Sequence, residues 1–128
     1  MEYCRGGDLF DFVANVIQTH KKNLFTYDLN LLKKLFKQAC QGVNSLHTKT
    51  KHAHLDIKAE NFLLDENNHI KLCDLCWAHP LYVECERELG TKNYKAPEVF
   101  GLEICETFNP LKADIFALGV LLFIIAFG

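Results

Sequence analysis

The final fourteen residues of the chain, 115–128, include no charged or hydrogen-bonding side chain. A helix that is apolar on every side must be buried, either in a protein core or in a membrane. Because a membrane-spanning helix needs about 18–20 apolar residues, we predict a buried core helix that opens at Asn109-Pro110. The run reaches the last residue of the sequence, and a longer parent could continue it. The rest of the chain has to supply the elements that cover this helix.

Two amphipathic segments are predicted to provide that cover. The first follows Gly6-Gly7, has Asp8 as its capping residue and ends at residues 20–23. The second starts near residues 26–28 and carries a solvated face of lysines and glutamine. The predicted buried faces are Leu9, Phe12, Val13, Val16 and Ile17 in the first helix, and Leu32, Phe36, Ala39, Val43 and Leu46 in the second. The predicted solvated face is Lys33, Lys34, Lys37 and Gln41.

In the middle of the chain the sequence pattern predicts a short β-hairpin. Residues 62–64 are apolar, residues 65–68 are typical turn formers, and apolar Ile70 and Leu72 then alternate with their neighbours. Residues 74–109 have no clear period and are predicted to form a long ordered loop, which in a compact domain usually has a function. The predicted fold class is α+β, mainly α, in one domain with a small β-hairpin.

The composition of the chain indicates which binding partners and which cellular compartment to expect. The chain has 14 Lys and Arg against 16 Asp and Glu, a net charge of −2, so we expect neither a nucleic-acid partner nor a membrane partner. Six cysteines could form three disulfides, but a chain with 49% hydrophobic residues does not need them. No signal peptide opens the sequence, because charged residues interrupt any early apolar run. We expect a reducing compartment with mostly free thiols, and an intracellular, cytoplasmic location.

The residues that carry chemistry lie between the second helix and the long loop. Residues 54–61 read HLDIKAEN, and Asp74 follows thirteen positions after Asn61. Asp56 and Lys58 are two apart, so in an extended loop their side chains point the same way. Asn61 and Asp74 can offer oxygen ligands to Mg²⁺. A carboxylate, an ammonium and two oxygen ligands are what phosphoryl transfer requires.

This order of residues resembles the eukaryotic protein kinases. The HRDxKxxN catalytic loop of that family corresponds to residues 54–61 and its DFG motif to residues 74–76. Its APE motif is intact at residues 96–98, and its D-x-W-S-L-G-V-x-L helix signature corresponds to residues 114–122. Residues 1–10 are similar to the family's hinge and the helix after it. The five motifs occur in family order and at family spacing.

The resemblance implies a role for each matching position, with ATP and Mg²⁺ as cofactors. Asp56 would be the base that orients the acceptor hydroxyl, and Lys58 would steady the γ-phosphate. Asn61 and Asp74 would hold Mg²⁺, and Thr91 would bridge Asp56 and Lys58. The lysine two positions after the aspartate, together with Thr91, implies a protein substrate with a Ser or Thr acceptor.

The resemblance also implies a nucleotide site. Glu2 and Cys4 would meet adenine through backbone groups, with Met1 as the gatekeeper and Leu63 as the floor under the base. Asp8 would reach the ribose or a basic substrate residue. Leu9, Phe62, Leu63, Leu121 and Ile125 would form a column beneath adenine, and Asp114 would be buried and accept hydrogen bonds from the backbone near His54.

Residues 1–128 therefore look like part of a protein kinase domain, from the hinge through the first part of the large lobe. The family's Gly-rich loop, β3 lysine and αC glutamate would precede the hinge, so a small lobe is expected in a full-length parent. The last helices of the large lobe would follow residue 128. We predict that the fragment alone is inactive. The alternative is a non-catalytic, pseudokinase-like binding or scaffold module that exposes Met1, Leu63 and the 115–127 face.

Several positions depart from the family pattern. Leu55 replaces the catalytic-loop arginine, and residues 84–88 contain no Ser or Thr, so we predict that no activation-loop phosphate switch operates. Cys76 replaces the DFG glycine and is expected to strain the backbone beside Asp74. One extra residue lies between Leu46 and His54 relative to the usual family loop.

The remaining chemistry-bearing residues have simpler interpretations. Lys92 and Lys95 are either solvated or favour an acidic residue beside the acceptor. A zinc site made of Cys73, Cys76, His79 and Cys85 is a minor alternative to two partly buried free thiols. We interpret His54 as a packing and hydrogen-bonding residue in the core. Four other histidines are interpreted as ordinary surface or cap residues: His20, His47, His52 and His69.

Overall fold

The computed structural model describes residues 4–20, 29–85, 89–100 and 107–127. Helices in this part are α1 (Leu9–His20), α2 (Leu29–Ser45), α3 (Pro97–Phe100) and α4 (Pro110–Phe127). Strands are β1 (His52–Ala53), β2 (Phe62–Leu64), β3 (Ile70–Leu72) and β4 (His79–Pro80). The predicted fold class, mainly helical with a small hairpin, is confirmed.

Helix α1 forms as its sequence pattern predicts. Oδ1 of Asp8 accepts a hydrogen bond from the backbone N–H of Asp11 at 2.8 Å, which caps the helix. Leu9 and Val13 are buried in the main core, and the other predicted face residues are half-buried. Because its apolar face lies on the core, α1 is held directly beside the β2–β3 hairpin.

The buried stripe of α2 is rotated from the predicted one. Leu35 is buried at 2% exposure, whereas Phe36 is half-buried. After Val43 the buried position is His47, and Leu46 is half-buried. Both Leu35 and Phe36 are apolar, so spacing alone could not choose between them. The predicted solvated face is exposed at all four positions, and the predicted start of α2 lies outside the described residues.

A wide π-helical turn, Leu46–Thr50, continues α2 and ends at Lys51, which has a left-handed φ of 60°. A π turn holds one more residue than an α turn. This geometry accommodates the extra residue between Leu46 and His54.

The predicted hairpin is confirmed as strands β2 and β3, which pair antiparallel with Leu63 opposite Lys71. The hairpin packs on α2, where the Gln38 Oε1 accepts a hydrogen bond from the backbone N–H of Ile70 at 3.0 Å. On its other edge, the backbone of Gly6 donates to the carbonyl of Leu64 at 2.9 Å. The hairpin is thus fixed between the start of the chain and α2.

The described parts of the long loop take part in two small pairings that the sequence pattern did not indicate. Strand β4 pairs antiparallel with β1, which precedes the catalytic loop. Cys85 and Phe108 form an isolated antiparallel bridge with hydrogen bonds of 3.0 Å in both directions. A second apolar cluster lies beneath these pairings: Ala53, Leu55, Leu81, Cys85, Ala96, Val99, Phe108 and Ala113. Leu55 therefore occupies an apolar site, not a phosphate-binding one, and the absence of a phosphate switch stays a prediction.

Helix α4 opens as predicted, with Oδ1 of Asn109 accepting from the backbone N–H of Lys112 at 3.1 Å. It extends over 18 residues, so by length and composition it could cross a membrane. The predicted burial in the core holds for one side of the helix only, since 39% of its residues are buried. Its buried side includes Leu121 and Ile125, in the same cluster as Leu9 and Phe62. Its other side exposes apolar residues: Leu111, Ile115, Phe116, Leu122, Phe123 and Phe127.

Candidate active site

The backbone of the catalytic loop, residues 54–61, is fixed by the carboxylate of Asp114. Its Oδ2 accepts from the N–H of His54 at 2.7 Å, and its Oδ1 accepts from the N–H of Leu55 at 2.8 Å. Asp114 is 1% exposed, so these bonds form away from water. Leu55 has a left-handed φ of 62°, which turns the chain sharply before Asp56. The prediction of a buried Asp114 bound to this backbone is confirmed.

Three of the four predicted catalytic side chains contact the fourth, Asp56. Its Oδ1 accepts a hydrogen bond from the Thr91 hydroxyl at 2.7 Å, and its Oδ2 lies 2.8 Å from Nζ of Lys58. Lys58 also donates to the Thr91 hydroxyl at 3.1 Å. The Asn61 amide nitrogen donates to Oδ2 of Asp56 at 3.2 Å and to its carbonyl at 2.7 Å. The residues expected from the spacing of residues 54–61 therefore form one hydrogen-bonded network with Thr91.

The network keeps Asp56 ionised although it is 5% exposed. Burial opposes ionisation, but hydrogen bonds from Lys58, Thr91 and Asn61, with the Lys58 charge, outweigh it and lower the pKa of Asp56. The pKa of Lys58 is raised, mainly by its hydrogen bond to Asp56, with smaller effects from the charges of Glu60 and Asp74. A carboxylate that stays ionised can accept a proton or a hydrogen bond from a bound hydroxyl.

Asp74 lies at the exposed edge of this network. Hydrogen bonds from the side chain and the N–H of Cys76 lower the pKa of Asp74, and the neighbouring charge of Lys58 adds to this. Asp74 itself has the left-handed φ, 61°, while Cys76 does not. The expectation of strain at Cys76 is therefore wrong, because the residue that needs the unusual backbone conformation is Asp74.

The predicted magnesium ligands provide suitable atoms. The amide nitrogen of Asn61 is used by Asp56, which leaves its Oδ1 for a metal, and the Asp74 carboxylate is exposed. Carboxylate and amide oxygens are the ligands that Mg²⁺ prefers. The donor set fits Mg²⁺, with Asp74 as the ligand that solvent can reach.

Of the predicted nucleotide-binding residues, Met1 and Glu2 lie outside the described residues. Cys4 and Leu63 are half-buried, and Leu63 bridges to Asp8 across the edge of the hairpin. One oxygen of the Asp8 carboxylate is used to cap α1, so its other oxygen is the one that could meet a ribose. The structure thus brings Asp8 and Leu63 together at the edge of the hairpin, and Cys4 lies two residues before Gly6, which pairs with the same strand.

The cysteines and histidines that the structure describes are not grouped as a metal site. The part of the chain that the structure describes holds no group of three His, Cys, Asp or Glu side chains suited to a metal, so the zinc alternative loses its support. Cys4, Cys40, Cys73 and Cys76 are free thiols. Burial, then the charge of Asp74, raises the pKa of Cys73, and a hydrogen bond to Asp74 raises that of Cys76. Neither thiol is activated as a nucleophile.

His54 is a core residue, as predicted. It is fully buried, and its Nε2 lies 2.9 Å from the carbonyl oxygen of Cys73. His52 is half-buried and His69 is exposed beside Asp65, while the side chain of His20 lies outside the described set.

The interpretation of His47 as a surface or cap residue is wrong. It is 8% exposed, and its Nε2 lies 2.7 Å from Oδ2 of Asp114. The sequence signal for burial of His47 is its position four residues after buried Val43, since residues four apart lie on the same face of a helix. Sequence reasoning also missed Tyr94, a buried residue whose hydroxyl accepts from the N–H of Ala59 at 3.3 Å.

Comparison with known proteins places the geometry in context. The family model described as "Protein kinase domain" matches residues 1–128. Over 134 residues the chain is 36% identical to Death-associated protein kinase 2 of Homo sapiens, covering 100% of this chain and 33% of the relative.

Two further relatives come from a plant and a yeast. CBL-interacting serine/threonine-protein kinase 10 of Arabidopsis thaliana is 35% identical over 100% of this chain and 25% of its own length. Serine/threonine-protein kinase CHK1 of Saccharomyces cerevisiae is 33% identical over 100% of this chain and 24% of its own length. The chain therefore spans between about a quarter and a third of the length of these three relatives.

Proposed function

Because the chain belongs to the protein kinase family, we propose that it supplies the phosphoryl-transfer residues of a serine/threonine protein kinase. The reaction would move the γ-phosphoryl group of ATP to a Ser or Thr hydroxyl of a protein substrate. One observation carries this proposal: Asp56, ionised and buried, is bound at once by Lys58, Thr91 and Asn61. That arrangement holds a base beside a cation at the point where the two substrates would meet.

Each residue has a distinct part in the proposed reaction. Asp56 orients the acceptor hydroxyl and accepts its hydrogen bond. Lys58, 2.8 Å from Asp56, neutralises charge on the transferred group. Thr91 keeps Asp56 and Lys58 in register through its hydroxyl. Asn61 and Asp74 would hold Mg²⁺, which when bound neutralises phosphate charge.

We further propose that this chain forms the hinge and the first part of a large lobe, completed by a small lobe and later helices in a full-length parent. The residues that hold the α- and β-phosphates in the family belong to the small lobe. The chain alone is then expected to transfer little phosphate. The free thiols of Cys4, Cys40, Cys73 and Cys76 support our proposal of a reducing, cytoplasmic setting.

The test compares this chain with a longer polypeptide that carries a relative's small lobe before residue 1 and its final helices after residue 128. We expect transfer of labelled γ-phosphate to a Ser- and Thr-containing protein by the longer polypeptide, and little by the chain alone. Asp56→Asn in the longer polypeptide should lower kcat by about 10²–10⁴-fold, because it removes the base. Asp11→Asn is the matched control, since Asp11 is an exposed carboxylate on α1. Equal turnover by the Asp56→Asn variant would remove Asp56 from the proposed role.

A second candidate is a non-catalytic binding or scaffold module. The exposed apolar side of α4, with Ile115 at 56% and Phe123 at 63% exposure, favours association with another surface. The two candidates differ in nucleotide binding, which thermal unfolding of the longer polypeptide measures with and without Mg²⁺ and ATP. A rise in Tm that requires both and is lost in Asp74→Asn supports the kinase. An unchanged Tm supports the scaffold.

A further inference from the structure

A short 3₁₀ turn, Lys92–Tyr94, follows Thr91 and lies directly beside the proposed base. At its start, the Thr91 hydroxyl donates to Oδ1 of Asp56 at 2.7 Å. At its end, the hydroxyl of Tyr94, a buried residue, accepts from the N–H of Ala59 at 3.3 Å. The backbone N–H of Tyr94 also donates to the carbonyl of Thr91 at 3.0 Å, which closes the turn. The turn is therefore fixed to the catalytic loop at both ends.

This fixed turn carries an exposed lysine. Lys92 and Asn93, which lie between the two anchored residues, are both exposed. The ammonium group of a lysine has three donors on a flexible four-carbon stem, so it can follow a bound partner. Among the residues that the structure describes, no carboxylate lies within ion-pair distance of Lys92. The charge of Lys92 is therefore available to a molecule that binds at Asp56.

The neighbouring lysines do not offer the same site. Lys58 is already paired with Asp56 at 2.8 Å. Lys95 is half-buried, and its Nζ lies 5.5 Å from the centre of the Phe100 ring, which is a cation–π contact. A substrate carboxylate can therefore reach Lys92 without displacing a contact that the structure describes.

Glu60 is a nearby anion that opposes a substrate carboxylate. It is exposed on the catalytic loop. Burial raises the pKa of Tyr94, and the charge of Glu60 adds to this, so Glu60 lies near the same turn. No ion pair within the described residues joins Glu60 to Lys92. The two charges therefore occupy separate places, and an acidic preference is expected on one side of the acceptor and not on both.

We infer that Lys92 selects protein substrates that carry an Asp or Glu within two positions of the acceptor, on one side of it; this inference rests on the proposed function. Thr91 contacts the base, and Lys92 is the next residue. Successive residues of an extended substrate are about 3.3 Å apart, so a side chain one or two positions from the acceptor lies within reach of the Lys92 ammonium. A carboxylate there pairs with the ammonium, and a Lys or Arg there is repelled. The substrate class is therefore an acidic Ser or Thr site.

The first experiment uses peptides with a single Ser as substrates of the longer polypeptide described above. Each peptide carries Asp, Asn or Lys at one of the two positions before the Ser or the two positions after it. We expect kcat/KM to be about 2–5-fold higher for Asp than for Asn on one side, because an exposed ion pair has a modest effect. The preference should shrink at about 1 M salt, which screens exposed charges.

Two variants of the longer polypeptide assign this preference to one residue. Lys92→Glu should reverse the preference, so that Lys is favoured over Asn at the same peptide position. Lys33→Glu, the same change of charge on the exposed face of α2, is the matched control and should keep the wild-type ratios. Equal kcat/KM for Asp and Asn at all four positions, or a preference for Asp that Lys92→Glu leaves unchanged, would overturn the inference.

The second experiment does not depend on phosphoryl transfer. A carbodiimide joins a carboxylate to a lysine amine in contact with it, and mass spectrometry then identifies the lysine. With an amidated Ser peptide whose one carboxylate is a neighbouring Asp, we expect coupling at Lys92 of the longer polypeptide. Absence of coupling at Lys92 would contradict the inference.

The two experiments separate the inference from the proposed function. If the wild-type longer polypeptide transfers no phosphate, the proposed function fails, and the coupling result still decides whether the turn binds an acidic peptide. If it transfers phosphate with no preference for Asp, the inference fails and the proposed function stands.

Discussion

At the scale of single residues, the charge of Asp56 links the candidate site to the stability of the fold. Burial alone would raise its pKa, but its hydrogen bonds with Lys58, Thr91 and Asn61 lower it below that of a free aspartate. Between the lowered folded pKa and the unfolded pKa, near 4, the unfolded chain binds more protons than the folded one. Ionised Asp56 therefore contributes fully to the free energy of unfolding at pH values above its unfolded pKa. That contribution is lost as the pH falls through the lower pKa of the folded state.

We predict that the free energy of unfolding falls more steeply with acid in the wild-type chain than in Asp56→Asn, which has no group to protonate here. Urea unfolding at a series of pH values from 7 to 3 measures the two slopes. Asp11→Asn should keep the wild-type slope. Parallel wild-type and Asp56→Asn curves would show that the network does not hold Asp56 in its ionised form.

A second prediction concerns Asp114. Replacement by Asn turns one acceptor oxygen into a donor that faces N–H groups, since His47, His54 and Leu55 all donate to this side chain. We expect Asp114→Asn to lower the free energy of unfolding by about 2–4 kcal/mol, measured by urea unfolding. Asp11→Asn should change it by less than about 0.5 kcal/mol. A small loss in Asp114→Asn would mean that the catalytic loop is held by other contacts.

At the scale of elements, two glycines have opposite surroundings and form a matched pair. A Cβ on Gly6 would lie 2.7 Å from the carbonyl oxygen of Leu64, whereas one on Gly119 in α4 would meet nothing within 4 Å. We predict that Gly6→Ala destabilises by about 1–3 kcal/mol, because the first segment must move away from β2. Gly119→Ala should stabilise by about 0.5–1 kcal/mol, because alanine favours the helix. Thermal unfolding compares them, and a shift of the same sign in both would contradict the tight approach at Gly6.

Leu55 provides a test of the apolar cluster beneath the long loop. An arginine at this position, as in the family pattern, would place a charge among Leu81, Val99 and Phe108. We expect Leu55→Arg to cost about 3 kcal/mol or more, because the charge lacks a partner in that cluster. Leu55→Met, of similar volume, should cost less than about 1.5 kcal/mol. If urea unfolding gives equal stabilities for the two variants, the arginine reaches an anionic group instead.

The elements that could be predicted from the sequence are those with local signals. The cap at Asp8, the alternation in the hairpin and Asn109-Pro110 at the start of α4 each lie within a few residues of what they determine. The two-residue strands β1 and β4 could not be predicted, because so short a strand has no period and its partner lies far along the chain.

The candidate site was predictable to a similar extent. Asp56, Lys58 and Asn61 share one motif, and Thr91 joins them through the family pattern, so the sequence identified the network that the structure contains. The contact between His47 and Asp114 joins residues 67 positions apart. Histidine suits a surface, a cap or a core, and only the tertiary packing of α2 on α4 decides among them.

At the scale of the whole molecule, the exposed side of α4 is expected to govern solution behaviour. Ile115, Phe123 and Phe127 are 56%, 63% and 75% exposed. We predict that the 128-residue chain self-associates at micromolar concentration, because water disfavours so large an apolar surface. Phe123→Ser with Phe127→Ser should reduce the association, as measured by sedimentation velocity. Lys33→Ser with Lys37→Ser is the control on a solvated face, and association unaffected by the phenylalanine changes would place the contact elsewhere.

The hydrogen bonds between Asp114 and the catalytic loop also determine when that loop can form during protein synthesis. The carboxylate that holds residues 54 and 55 enters the chain 60 and 59 positions after them. While a ribosome makes the protein, the first half emerges with its reactive loop unsupported. That loop can acquire its final shape only after α4 has left the exit tunnel, so the catalytic loop of the nascent chain stays unformed until some sixty further residues have been made.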